Sequence, residues 1–502
     1  MDNIHIPIQY HKKHSGVRIF SLLRKWFLQD MLQNPFGVAL LVFSSVIIAF
    51  AIAKMGIAGG ALIIIGAVAI PFLYAIVAYP KIGIWVLLVM AYLLFLIMSL
   101  GINFPFGTMM DGLQVLLFVG FFIKQRSKPN WTDLKGPVSV MILVWITFNM
   151  LEIANPAAES RLAWVYTIRS VALVMLTYFV FLYNIRTVTF IKFIFKTWIF
   201  LAVFAALWGL KQEYIGFSAG EEAYLHSDPN IASLLFIDGH WRKFSFLSDP
   251  VAFSYNMVVA SVLCMALMSG PIKFWKKIVL GFVVFILLWA MLTSGTRGAY
   301  VLVPVTLILY AILKFNRRIL QVAIVGGVCI AGLIFVPTSN PTLYRFQSAF
   351  KPSDDASFNV RKANQKRIQP YILSHPMGGG LGATGAWGQR FAPNSYLANF
   401  PPDSGYVRVA VELGWIGLFI FCTLMFIILK TGINNYYAIR DPELKSYCLA
   451  MTLIVFAFNI GNYPQEAVVQ FPSNIYFYLV TALITVTYQL DKQKNNHLHA
   501  AR

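Results

Sequence analysis

LLWAMLTSGTRGAYVLVPVTLILY, residues 287–310, decides how this chain is read. Two apolar stretches flank a short break, and the break holds a charged residue, Arg297, between Gly295 and Gly298. The stretch reads as the end of one membrane span, a tight turn and the start of the next. Charge is expensive near a bilayer and is kept there for a reason.

The rest of the chain repeats the pattern. Of its 502 residues, 58% are hydrophobic and only 12% are charged, against about 25% charged in soluble domains. Roughly fourteen apolar blocks are long enough to cross the ~30 Å hydrocarbon core. They centre on 37–53, 57–79, 82–101, 108–123, 137–153, 162–183, 194–211, 251–269, 278–294, 299–313, 319–337, 408–429, 446–462 and 473–490. Spanning helices satisfy their own backbone hydrogen bonds, whereas a β-barrel would show short alternating segments. The expected fold is an all-α polytopic membrane protein, a bundle of about 12–14 transmembrane helices with one large outer loop containing short helices.

Charge gives the orientation. The connections KQRSKPNWTDLK, NIRTVTFIK, GPIKFWKK, KFNRR and KTGINNYYAIRDPELK are every second one along the chain, and each is basic. Basic loops stay cytoplasmic, so both termini are expected in the cytoplasm. The formal net charge of +20 then reflects loops facing anionic lipid and not nucleic-acid binding. VRIFSLLRKWFLQDML, near the start, interleaves apolar and basic residues as a helix lying on a membrane surface does. Cys264, Cys329, Cys422 and Cys448 all lie inside apolar blocks and read as small packing residues. The expected divisions are an N-terminal segment 1–36, a first bundle half 37–211, an outer loop 212–250, spans 251–337, a large outer loop 338–407, spans 408–490 and a tail 491–502. In the large loop, FNVRKANQKRIQPYIL is expected to form a helix and HPMGGGLGATGAWG a glycine-rich turn region.

Few residues are placed to do chemistry. Arg297 either offers its fork of donors to a phosphate or snorkels to headgroups. Arg242, beside Lys243 and His240, makes a cationic spot just before the eighth span, which Asp249-Pro250 is placed to cap. A pair of arginines there could clamp a diphosphate carried on a lipid. Asp403 is either an N-cap or a general base aimed at an acceptor hydroxyl, with His375 as the rival base. Glu412 is expected to face the bundle and pair with Arg408 at i−4. Arg169, deep in its span, is either functional or half of an ion pair, and Asp111 is expected to be structural. The chain has no Walker-type GK[ST], no GxSxG, no HExxH and no cysteine cluster.

The Arg before FSFLSDPVAFS, the SGTRGAY turn and the loop closing on HPMGGGLG…DSGYVRVAVELGWIGL follow one another in that order. Together they resemble the O-antigen ligase and O-antigen polymerase superfamily over roughly residues 240–430. The resemblance implies transfer of a glycan from an undecaprenyl-diphosphate carrier to a glycan or lipid-glycan acceptor, at the outer face of the bacterial cytoplasmic (inner) membrane. It implies that Arg242 and Arg297 hold the diphosphate and that a loop base deprotonates the acceptor. It further implies direct displacement with inversion, and needs neither metal nor nucleotide sugar. Lys243, His375 and Glu412 are the further candidate substrate-binding residues. The chain departs from the ligases where they place a His, just before the span opening ELG: here the residue is Asp403. That departure sets a polymerase, or a ligase of another acceptor, beside the lipid A–core ligase. The alternative function is a flippase of lipid-linked oligosaccharides, for which a large outer loop is a poor fit.

Overall fold

A computed structural model describes residues 35–99, 105–127, 129–237, 239–315, 317–338, 341–350 and 356–500. The amphipathic segment expected near residues 17–32 lies outside these. The chain divides into two units, one ending at Ala75 and the other beginning at Ile76. The first holds α1 (Pro35–Met55) and most of α2 (Ile57–Ala78), joined at Gly56 in a left-handed conformation.

The second unit is a helical bundle. Its helices are α3 (Pro80–Ser99), α4 (Phe106–Ser127), α5 (Pro137–Leu151), α6 (Arg161–Asn184) and α7 (Val188–Tyr214). Then come the short α8 (Ala219–Leu225) and α9 (Pro229–Leu235), and a two-stranded antiparallel ribbon, β1 (Phe236–Ile237) with β2 (His240–Trp241). They are followed by α10 (Pro250–Met268), α11 (Phe274–Thr293), α12 (Arg297–Leu313) and α13 (Arg317–Phe335). The second long connection carries α14 (Pro341–Ser348), α15 (Ala356–Ser374) and α16 (Gly385–Phe391), before α17 (Gly405–Ala438), α18 (Pro442–Gly461) and α19 (Ser473–Ala500).

All the expected apolar blocks fall on helices, and FNVRKANQKRIQPYIL is α15. Among the described residues, nine helices are long and apolar enough to cross a membrane. Two helices run beyond the expected blocks. The tail expected at 491–502 is, through Ala500, a continuation of α19, and the block at 408–429 lies inside a helix of 34 residues.

The helix starts are written locally. Ser160 and Thr187 cap α6 and α7 by accepting from the amides of Ala163 and Phe190. Asp249-Pro250 and Asp441-Pro442 open α10 and α18 alike: each aspartate accepts two backbone amides, and the proline takes the first helical position. These two helices form the centre, with 78% of each span buried, while α11 has 22% buried and turns Phe274, Trp275, Phe282 and Phe285 outward. Lipid is as apolar as leucine, so helices in it associate through close packing and polar contacts. Gly461 of α18 illustrates this, since a Cβ there would lie 2.5 Å from the ring of Tyr255 on α10. Arg169 of α6 meets Asp111 of α4 at 3.1 Å, which gives that arginine its structural reading.

Candidate active site

The break between α11 and α12 is a turn that only glycine fits well. Gly295 has φ +61, and a Cβ on it would lie 3.1 Å from Nε of Arg345 and 3.5 Å from Cγ of Arg242. The side chains of both arginines therefore pass close against the turn. Nε of Arg242 donates to the carbonyl of Ser294 at 3.0 Å, and its NH2 to Oγ1 of Thr296 at 2.9 Å. Nε of Arg345 donates to the carbonyl of Gly295 at 2.8 Å. Arg297 follows directly as the first residue of α12. The β1–β2 ribbon delivers Arg242, and α14 delivers Arg345, its neighbour Phe346 lying 5.6 Å from the ring of Tyr300.

Three guanidiniums share this turn, and their repulsion registers. Burial pushes the pKa of Arg242 down to about 10, and the charges of Arg345 and Arg297 push the same way, against Asp249. Asp249 is itself engaged, capping α10 through the amides of Val251 and Ala252. Concentrated positive charge in a partly buried turn attracts anions.

The cationic cluster expected around Arg242 is divided by the structure. Lys243 is buried and turns to Glu213 at 3.3 Å, donates to the carbonyl of Trp241 at 2.8 Å and lies over the ring of Phe217. Burial lowers its pKa while Glu213 opposes that shift. His240 also meets Glu213, at 3.2 Å. The Arg242 side chain reaches the turn, while Lys243 meets the end of α11 through its backbone amide, which donates to the carbonyl of Thr293 at 3.3 Å.

A second arrangement centres on Glu412. Helix α17 is two helices in one, broken at Gly414 with φ 68 and ψ −175, a region essentially restricted to glycine. The break leaves backbone carbonyls of the first half without helical partners, and the glycine-rich loop supplies them. The amides of Gly379 and Gly380 donate to the carbonyls of Val411 and Glu412 at 2.9 and 2.8 Å, and Ile416 donates to the carbonyl of Pro376 at 3.3 Å. The Glu412 carboxylate accepts from the amides of Gly382 and Thr384, the hydroxyl of Thr384 and Nε of Arg408. The expected i−4 pair is present, at 3.1 Å. Arg408 also holds Glu466 at 2.7 Å, whose pKa burial raises while Arg408 opposes the shift. Asn155 ties the loop to the end of α5 through the carbonyls of Met377 and Gly378. Arg408 and Glu412 line a cavity of about 340 Å³ whose other walls include Trp145, Trp387, Phe421 and Tyr478.

Asp403 lies just before α17, in a narrow cleft shared with Arg361, Asn364 and Gln365 of α15. Ser404, not Asp403, occupies the N-cap position, so the capping role does not fall to the aspartate. The Tyr255 hydroxyl of α10 is 3.1 Å from where a Cβ on Gly298, one residue past Arg297, would lie. His375 stacks on Tyr371 at 4.0 Å and bonds through Nδ1 to Tyr371 and Ser374. Arg345, Arg361 and Glu466 were not singled out from the sequence, because each meets partners distant along the chain.

Residues 282–422 match the family model described as O-antigen ligase. The chain is 28% identical to an O-antigen polymerase from Salmonella muenchen, over 54% of this chain and 67% of that protein.

Proposed function

We propose that this chain, which belongs to the O-antigen ligase and O-antigen polymerase superfamily, transfers a glycan from a polyprenyl-diphosphate carrier to an acceptor hydroxyl at the outer face of the membrane. The observation that carries the reading is the turn at Ser294–Arg297, where guanidiniums gather at the junction of two apolar helices. A diphosphate on a lipid tail would present its charge at the same depth.

The acceptor oxygen attacks the anomeric carbon, and its proton passes to the carboxylate of Asp403. The glycosyl–phosphate C–O bond breaks, and its electron pair stays on the diphosphate oxygen. Arg242 and Arg297 offset the charge that builds there, which is stabilisation of the transition state. Displacement from the opposite face inverts the anomeric carbon, and the lipid-linked diphosphate is activated without a metal. Lys243 and Glu412, whose charges are met within the protein, brace the site. His375, stacked on Tyr371, with Tyr396 6.2 Å from the Tyr371 ring, offers aromatic faces to acceptor sugar rings.

The test is glycan assembly in cells carrying Arg297→Ala, Arg242→Ala or Asp403→Ala, at matched protein levels. The expected result is accumulation of lipid-diphosphate-linked units and loss of product, with rate losses of 10²-fold or more for each arginine. Normal product from all three variants would overturn the reading and favour transport of the lipid-linked glycan.

A further inference from the structure

We propose that the cavity of about 340 Å³ beside Arg408 and Glu412 binds a neutral sugar ring of the glycan substrate. The inference rests on the transfer reading above, which makes a glycan the substrate. Cavities of this size hold small ligands. Three side chains in its wall carry a buried polar atom that has no hydrogen-bond partner among the described residues: Nε1 of Trp145 and Oδ1 of Asn149 and of Asn462. The three residues are only 3%, 1% and 2% exposed. Asn149 is oriented by its Nδ2, which donates to the carbonyl of Trp145 at 2.8 Å, so its oxygen is left for another donor. Buried polar groups are normally paired. One donor with two acceptors is a set that sugar hydroxyls complete, since each hydroxyl both donates and accepts.

The rest of the lining decides between ligand classes. Trp387, Phe421 and Tyr478 add aromatic surface to that of Trp145, the mix of rings and a few polar groups that suits a ring with apolar C–H faces and polar edges. A hydrocarbon chain would fill the space but leave the three polar atoms unpaired and desolvated. A phosphate is disfavoured too. Arg408 of the wall is held by Glu412 at 3.1 Å and by Glu466 at 2.7 Å, so an anion there would meet two carboxylates. The cavity is also placed for the reaction. Asn462 of its wall lies two residues before Pro464, whose Cγ is 3.3 Å from where a Cβ on Gly298 would lie. The connection between α18 and α19 thus lines the cavity and touches the start of α12. Gly405, also in the wall, follows Asp403 by two residues, and its amide donates to the carbonyl of Asn462 at 3.0 Å.

The experiment uses the full-length protein in lipid nanodiscs. The probe is the host cell's surface glycan, released from its lipid by mild acid and fractionated to short fragments, with binding followed by saturation-transfer NMR. Val171, in the cavity wall, is replaced by Trp to fill the space, while Trp145→Phe keeps a ring and removes the N–H. The expected result is that Val171→Trp abolishes fragment binding by steric clash. Trp145→Phe weakens it about three- to tenfold and is no less stable than wild type when no glycan is present. Competition by the lipid-linked unit then identifies the source of the sugar. Displacement that is lost in Arg297→Ala makes the bound ring the donor's, displacement that is retained makes it the acceptor's, and both keep the inference. Unchanged binding in both wall variants overturns it and leaves the transfer reading standing. A wild-type protein that binds no fragment also overturns it, and farnesol bound instead, and lost in Val171→Trp, would assign the cavity to a hydrocarbon chain. Fragment binding that behaves as expected, while the arginine and Asp403 variants make normal product, would overturn the transfer reading alone.

Discussion

Single residues here are legible when their partners are close along the chain. Glu412 and Arg408 were paired from their spacing, and Asp249 was read as a cap from the proline after it. Arg345 gave no such signal, because its partner carbonyl at Gly295 is 50 positions away. Glu221 shows what a buried carboxylate requires. Burial raises its pKa, but the amide of Ser218, the side chains of Gln212 and Trp208 and the hydroxyl of Ser218 outweigh that and bring it down to about 2. A carboxylate depressed on folding stabilises the protein above its unfolded pKa, ordinarily 4.5, and the contribution is lost as pH falls from there towards 2. Glu221→Gln is therefore expected to lower Tm at pH 7, with the gap from wild type narrowing between about pH 4.5 and 2. A thermal-shift series across pH in detergent measures it, and a gap that stays constant with pH would refute the assignment.

At the scale of elements, the break in α17 organises half of the site. Hydropathy showed the span and the glycine-rich loop, but not that each completes the other's hydrogen bonds. Periodicity describes a helix and is silent about where its freed carbonyls go. Gly414→Ala would place a Cβ 1.9 Å from the carbonyl oxygen of Pro376, and its backbone conformation alone costs about 1–3 kcal/mol for a side-chain-bearing residue. The expected outcome is loss of activity with loosening of residues 376–384, read as faster amide exchange there. Unchanged exchange would show that the loop does not depend on the break. Glu412→Gln keeps the shape and removes the charge, leaving Arg408 half-compensated inside the bundle. A lower melting temperature and a normal-sized but poorly active protein are expected, since breaking a buried pair is costly.

For the whole molecule, the order of spans was readable because a bilayer asks the same simple thing of every segment. The lengths were less so. α12 reaches only 17 residues, and α17 starts at Gly405 and runs on to Ala438, past the expected end at 429. The ion pair of Asp111 and Arg169 joins α4 to α6 across the bundle. Replacing either partner singly leaves a lone charge at membrane depth, so Asp111→Asn with Arg169→Gln should be better tolerated than either alone. Expression level and melting temperature of the three variants decide this. Orientation is tested by single-cysteine labelling. Positions in the basic connections at 124–136, 270–277 and 430–445 should react from the cytoplasmic side, and positions in 212–249 and 356–404 from the other. Labelling of both sets from one side would refute the charge reading.

The docking of the glycine-rich loop also implies an order of assembly. Residues 376–384 leave the ribosome before the carbonyls they serve at Val411 and Glu412, and Arg408 acquires Glu466 only after α18 has been made. The amide of Gly405 likewise waits for the carbonyl of Asn462. Nascent chains halted before α17 should therefore carry an intact arginine turn beside a loop open to protease, so the donor half of the site matures before the acceptor half.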